Sequence, residues 1–97
     1  VNRYSQTTRD ANEEVLLKVA EQLGAHWVQG PPLDGWVIWR GMWIPCEIKV
    51  PEREGHADEY TPAQLRFLRF CELHRGPHFI WRTPEDVIRS LSGQRSA

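Results

Sequence analysis

Apolar residues recur at Val15, Leu16, Val19, Ala20 and Leu23 with the period of a helix. Asp10 stands ahead of this run as an N-cap, and Glu13, three residues on, completes a capping box. Gly24 follows the last periodic position and supplies a stop. These signals predict a first helix over residues 12–23. A short strand over 26–29 is broken by Gly30-Pro31-Pro32. Residues 35–39 and 42–50 then alternate as the two arms of a hairpin turning at Arg40-Gly41. Residues 51–60 are charged and polar, contain Gly55, and read as a loop. In Thr61-Pro62-Ala63-Gln64, Thr61 is a cap, Pro62 suits the first helical position, and Gln64 closes a capping box. Leu65, Phe67, Leu68 and Cys71 give this second helix its apolar face, and Gly76-Pro77 ends it. A last strand over 78–82 precedes Thr83-Pro84-Glu85-Asp86, which repeats the cap grammar and opens a third helix through Leu91. The order α-β-β-β-α-β-α describes an α/β sandwich with a central mixed sheet flanked by helices.

At 97 residues the chain is one domain with a small core. Its polar ends, about 1–8 and 92–97, are expected to fray. No apolar run is long enough to span a bilayer, and the polar start from Val1 to Gln6 is unlike a secretory leader. A cytoplasmic protein with no membrane association is the expectation. Cys46 and Cys71 are isolated, which favours packed, reduced thiols over a disulfide framework or zinc site. The histidines (His26, His56, His74, His78) lack metal-ligand spacing. A net charge of −1 argues mildly against an unaided nucleic-acid binder. An acidic metal site changes that argument, because it lowers the net charge while its cation restores positive potential locally.

The chemistry concentrates on the hairpin. Glu47 and Lys49 are two apart on a strand and share a face, with Ile48 turned to the core. A hairpin folding at Arg40-Gly41 brings Asp34 back beside Glu47. Two carboxylates suit a hard cation such as Mg²⁺ or Mn²⁺, which polarises a phosphate and activates water. An ammonium alongside stabilises charge developing on the phosphate. A Glu-x-Lys on a strand is usually only a solvated face. Here Asp34 stands thirteen residues before Glu47, Glu13 lies on a helix, and the element order is complete. Glu13 and Gln64 each read equally as capping-box residues. Arg9 and Asn12 are candidates to buttress the site or contact DNA, set against simple helix-start chemistry. Arg66 and Arg69 share a helix face and, with Arg53 and His56, are candidates for phosphate contacts or else a solvated surface. Trp36, Trp39 and Trp43 sit on the hairpin, with Trp27 and Trp81 on flanking strands. Core packing or a dimer seam is set against stacking on unpaired bases. Trp36 shares a side with Asp34, and Trp39 faces the other.

Asp34 followed by Glu47-Ile48-Lys49 resembles the PD-(D/E)XK nuclease superfamily. With Arg9-Asp10-Ala11-Asn12-Glu13, Thr61-Pro62-Ala63-Gln64-Leu65, Gly76-Pro77 and Thr83-Pro84-Glu85-Asp86, the chain is similar to the small stand-alone VRR-NUC-type nucleases of phages. It is more distantly similar to archaeal Holliday junction resolvases. The resemblance covers residues 9–91. It implies a restriction-endonuclease-like α/β fold and a metal-dependent DNA endonuclease acting on branched or structured DNA such as junctions and flaps. It further implies a homodimer and, for a phage protein, the host cell cytoplasm. Carried over by position, Asp34 and Glu47 are the metal ligands and Lys49 is the catalytic lysine. Glu13 matches a helical Glu that holds a metal-bound water, with Glu14 a second candidate, and Gln64 matches a Gln near the active site. The chain departs from the pattern in three places. Pro32-Leu33-Asp34 displaces the proline by one residue, Val15 stands where an acidic residue is expected, and Pro45 predicts a break or bulge in the strand carrying Glu47. Pro45 and the displaced Pro32 motivate a second reading, a catalytically silent DNA-binding or scaffold module. The near-neutral charge motivates a third, an enzyme targeted by a partner protein.

Overall fold

The computed structural model describes residues 3–92, with side chains from residue 11 onward. Its elements run α1 (Arg3–Gln22), β1 (His26–Gln29), β2 (Gly35–Trp39), β3 (Met42–Ile48), α2 (Pro62–His74), β4 (Phe79–Trp81) and α3 (Pro84–Ser92). This is the expected α-β-β-β-α-β-α order. The four strands form one sheet in the order β1-β2-β3-β4. The first three are antiparallel, and β4 runs parallel to β3 after the α2 crossover.

Local chemistry explains most boundaries. Arg40 and Gly41 take φ of 51° and 80°, the left-handed pair that a two-residue hairpin turn requires. Thr61 and Gln64 form the reciprocal capping box at the start of α2. Thr83 and Asp86 do the same for α3, with Thr83 N donating to Asp86 Oδ2 at 3.1 Å and Asp86 N donating to Thr83 Oγ1 at 3.3 Å.

The start of α1 corrects the sequence expectation. The helix begins at Arg3, so Asp10 lies within it and does not cap it. Residues 3–10 contain no glycine or proline to stop a helix. Apolar periodicity reports a buried face rather than helicity, so it missed these two turns. The fraying expected of the ends therefore does not describe the helical backbone of 3–8, and residues 1–2 and 93–97 lie outside the described residues. β3 ends two residues earlier than expected, and β4 is one residue shorter at each end.

One face of the sheet carries the core. Leu16 and Ala20 of α1 and Val87 and Leu91 of α3 pack on Val37, Trp39, Cys46, Ile48 and Trp81. Trp81 is fully buried, and its indole N–H donates to Ser90 Oγ at 3.0 Å. Burying a tryptophan contributes roughly 5 kcal/mol of transfer free energy. Val15 and Leu23, counted in the periodic run, are exposed at the margins of this face.

Strand alternation turns Trp36, Ile38, Trp43, Pro45 and Glu47 to the opposite face. α2 serves that face, with Gln64 reaching Glu47 and Cys71 its one buried residue. Leu65 is exposed, so the apolar side of α2 narrows to Phe67, Leu68 and Cys71. Among the described residues no helix is long and apolar enough to cross a membrane.

The bulge expected at Pro45 is absent, because the register runs unbroken through Gly35↔Cys46, Trp36↔Pro45 and Val37↔Ile44. Lys49 N donates to Trp81 O at 3.0 Å. By alternation, the nitrogens of residues 47 and 45 also face the β4 side. Strand β4 begins only opposite Cys46. The donor that proline lacks would therefore point past the end of β4, and no ladder bond is lost.

Gly35 joins the candidate site to the core. A Cβ added there would stand 2.4 Å from Trp27 Cζ2. Gly35→Ala is expected to displace the indole and cost about 1–3 kcal/mol, a Tm drop of roughly 5–15 °C in a thermal melt. An unchanged melt would show that the Trp27 contact is not maintained.

Candidate active site

Asp34 lies one residue before β2, across from Glu47 on β3. The two acids interlock through the backbone. Asp34 N donates to Glu47 Oε1 at 3.0 Å, and Ile48 N donates to Asp34 Oδ2 at 2.8 Å. Residues thirteen apart in sequence thus fix each other's carboxylates at the strand end. Glu47 is 2% exposed. Its second oxygen accepts from Gln64 Nε2 at 2.8 Å and lies 3.1 Å from Lys49 Nζ.

Gln64 fills both roles left open by the sequence. Its Oε1 accepts from Thr61 N at 2.9 Å, closing the capping box, while its Nε2 holds Glu47. The N-terminal turn of α2 therefore delivers an amide to the acids. Lys49 extends over the Tyr60 ring, 4.7 Å from its centroid, and also donates to the Glu59 carbonyl. Asn12 of α1 donates to Lys49 O at 3.1 Å, the buttress considered for it.

These groups open onto a cleft of about 320 Å³ whose lining includes Asp34, Glu47, Lys49, Arg53, Asp58 and Gln64. Burial pushes the Glu47 carboxyl above its ordinary pKa. The neighbouring Asp34 charge adds to this, and Lys49 pulls the other way. The Cys46 thiol behind them is pushed well above its usual value by burial first, then by Asp34, Glu47 and Glu13. It is a packed thiol, as expected, and not a nucleophile.

Two carboxylates with one ammonium leave the site short of positive charge. Hard oxygen donors in this number fit Mg²⁺ or Mn²⁺, which bind through one or two carboxylates and keep several waters. Among the described residues no group of three or more His, Cys, Asp or Glu is placed to hold a metal. The structure thus does not group Glu13 with Asp34 and Glu47. Glu13 stands on α1, the helix whose Leu16 and Ala20 pack on the Cys46 face of the sheet, whereas Glu47 points to the opposite face. Glu14 lines a different cleft, between α1 and β1, with Lys18 and His26.

The basic candidates divide. Arg53 lies on the cleft wall, paired to the exposed Asp58. Arg66 and Arg69 stand on the exposed side of α2 and do not line the cleft, and His56 is exposed on the loop. The tryptophans divide as well. Trp39 and Trp81 are core residues, and Trp27 packs against the core. Trp36 and Trp43 meet edge-on at 6.5 Å, with Trp43 61% exposed, on the sheet face that carries Glu47.

Compared with known proteins, the chain matches no family model, no curated protein and no solved structure.

Sequence reasoning did not reach Glu59, Tyr60 and Arg82. Arg82 pairs with Glu59 across 23 residues of sequence, and no motif encodes such a contact. The only available signal was an acidic and an aromatic residue directly before the Thr61 cap.

Proposed function

We propose that this protein is a Mg²⁺- or Mn²⁺-dependent DNA endonuclease with a restriction-endonuclease-like fold, similar to the PD-(D/E)XK nucleases of the VRR-NUC type. The observation that carries this reading is the convergence of Asp34, Glu47, Lys49 and Gln64 on one cleft, with Glu47 buried between Lys49 and Gln64.

Asp34 and Glu47 would hold the cation. When bound, it would supply positive charge at the scissile phosphate and ease ionisation of the attacking water. Lys49 places its ammonium at the cleft, where it stabilises the negative charge that grows on the phosphate as water attacks. Gln64 fixes the orientation of the Glu47 carboxylate, and the Asp34 and Ile48 amides fix the strand ends around it. Arg53 binds a neighbouring phosphate by exchanging Asp58 for it. Trp36 and Trp43, on the sheet face that carries Glu47, offer stacking surface for an unpaired base, which suits junction or flap DNA over plain duplex.

The protein acts as a homodimer carrying two sites. Phe70 and Leu73 of α2 are both more than half exposed, Leu73 at 76%, and a second copy would cover such apolar surface. Sedimentation at micromolar concentration is expected to give a dimer. A monomer that still cuts would contradict this.

The test of function is cleavage of labelled duplex, flap and four-way junction DNA with Mn²⁺, Mg²⁺ or EDTA. Metal-dependent cutting that prefers branched DNA supports the reading. Tight DNA binding with no cutting under any condition would instead establish a silent module, a reading favoured by the protein donors already engaging both Glu47 oxygens.

A further inference from the structure

A lysine ammonium rides on a flexible four-carbon stem, and holding it in one place costs rotamer entropy. At Lys49 this is done by Glu47 Oε2, Gln64 Oε1 at 3.4 Å, the Glu59 carbonyl and the Tyr60 ring face. Two of these four partners belong to the loop between β3 and α2, in which most residues are exposed. Loops of this kind are ordinarily mobile.

Arg82 holds this one in place. Its guanidinium pairs with Glu59 Oε2, with 15% and 6% of the two side chains exposed, and its Nη2 reaches Tyr60 OH at 3.4 Å. The other Glu59 oxygen accepts from Gly55 N at 3.2 Å, drawing the loop around the carboxylate. Burial acts to raise the Glu59 carboxyl, but Arg82 and the Gly55 amide hold it below its ordinary range. Arg82 is itself anchored. It follows the fully buried Trp81, whose carbonyl accepts from Lys49 N, and its own N donates to Asp86 Oδ2 at 2.8 Å at the α3 cap.

We propose that the Glu59–Arg82 ion pair is a clamp that positions Lys49, by fixing the Glu59 carbonyl and the Tyr60 ring against its ammonium. Its consequence for catalysis rests on the nuclease reading above, while its consequence for the lysine does not. A buried ion pair is a weak source of net stability, whereas holding a reacting group to within about 1 Å is worth up to about 100-fold in rate. Arg82 and Glu59 are positioning residues here and touch no substrate.

The chain has two lysines, Lys18 and Lys49, so ¹³C labelling at the lysine ε-carbon gives two NMR signals. Lys18 is exposed and serves as the internal reference. In the wild type the Lys49 signal is expected to be displaced by the Tyr60 ring. In Arg82→Gln and Glu59→Gln it is expected to move toward the Lys18 position, and in Arg82→Lys, which adds a third signal from the new lysine, one signal is expected to stay near the wild-type Lys49 position. On the DNA the wild type cuts, the two Gln variants are expected to lose 10- to 100-fold in kcat with KM within about twofold. If Arg82→Gln fails to fold, Glu59→Gln decides, since it removes the charge without changing β4 and keeps a backbone carbonyl at residue 59, which only the lost ion pair then frees to move. A Lys49 signal that does not move in a folded Gln variant would overturn the clamp. The signal is read without DNA, so a wild type that cuts nothing would sink the nuclease reading and leave the clamp to be judged on the signal alone.

Discussion

Replacing Lys49 with Met is expected to lower the rate of metal-dependent cutting by about 10²–10³-fold, the usual loss when one preorganised charge at a developing oxyanion is removed. KM should change little, because Lys49 sits beside the acids and the phosphate contact proposed for Arg53, also on the cleft lining, is left untouched. The fold should survive. The Lys49 side chain is 15% exposed at the cleft, and no core residue rests on its ammonium. Methionine keeps the length of the stem while deleting the charge. The change also removes the group that pulls the Glu47 carboxyl down, so that pKa should rise further in the variant. A Lys49→Met protein that cuts within threefold of wild type would exclude Lys49 from the chemistry, whatever the metal dependence.

The second large effect concerns the acids. A cation present at about 100 times its Kd stabilises by about 2.7 kcal/mol, a Tm gain on the order of 10 °C for a domain of this size. That gain is expected with Mn²⁺ or Mg²⁺ for the wild type and should vanish in Asp34→Asn and Glu47→Gln. The pH dependence in EDTA follows from the raised Glu47 pKa. The folded state holds the Glu47 proton more tightly than the unfolded chain does. Between the ordinary glutamate range and the raised folded value, the folded state therefore carries more bound protons. Stability must fall as pH rises through that window. Burial is the main cause, with Asp34 second, so Glu47→Gln should flatten the slope. Urea melts in EDTA across pH 4.5–7.5 measure it. A wild type whose stability rises across that range in step with the Gln variant would place Glu47 in a better-compensated environment than the hydrogen bonds indicate.

Much of this arrangement was legible in the sequence, for reasons that are local. Thr61, Pro62 and Gln64 encode the start of α2 within four residues, and Arg40-Gly41 encodes the turn that returns β3 beside β2. Once that turn is fixed, the meeting of Asp34 with Glu47 follows from strand geometry. The dual role of Gln64 was also visible, although sequence alone gave two alternatives where the structure combines both. The misses are non-local or concern exposure. Residues 3–10 are helical without an apolar period in the sequence to announce it. Pro45 looked like a break because the strand pattern does not show which side of β3 a missing donor faces. Leu65 fits the apolar period of α2 yet stands at 45% exposure, since periodicity does not tell which helix face finds a sheet. Glu13 fits the expected helical position but does not join Asp34 and Glu47 in a group that could hold a metal among the described residues. The Glu59–Arg82 pair joins a loop to a strand end through tertiary contact alone.

The most direct measurement is cutting of a labelled four-way junction by wild type and Lys49→Met protein, each with Mn²⁺ and with EDTA, alongside a thermal melt of both. The expected result is cutting by the wild type with Mn²⁺ only, reduced 10²–10³-fold in the variant while both proteins remain folded and gain stability from the metal. Equal cutting by the two proteins, or cutting that persists in EDTA, would contradict the assignment of Asp34, Glu47 and Lys49 as a metal-dependent nuclease centre.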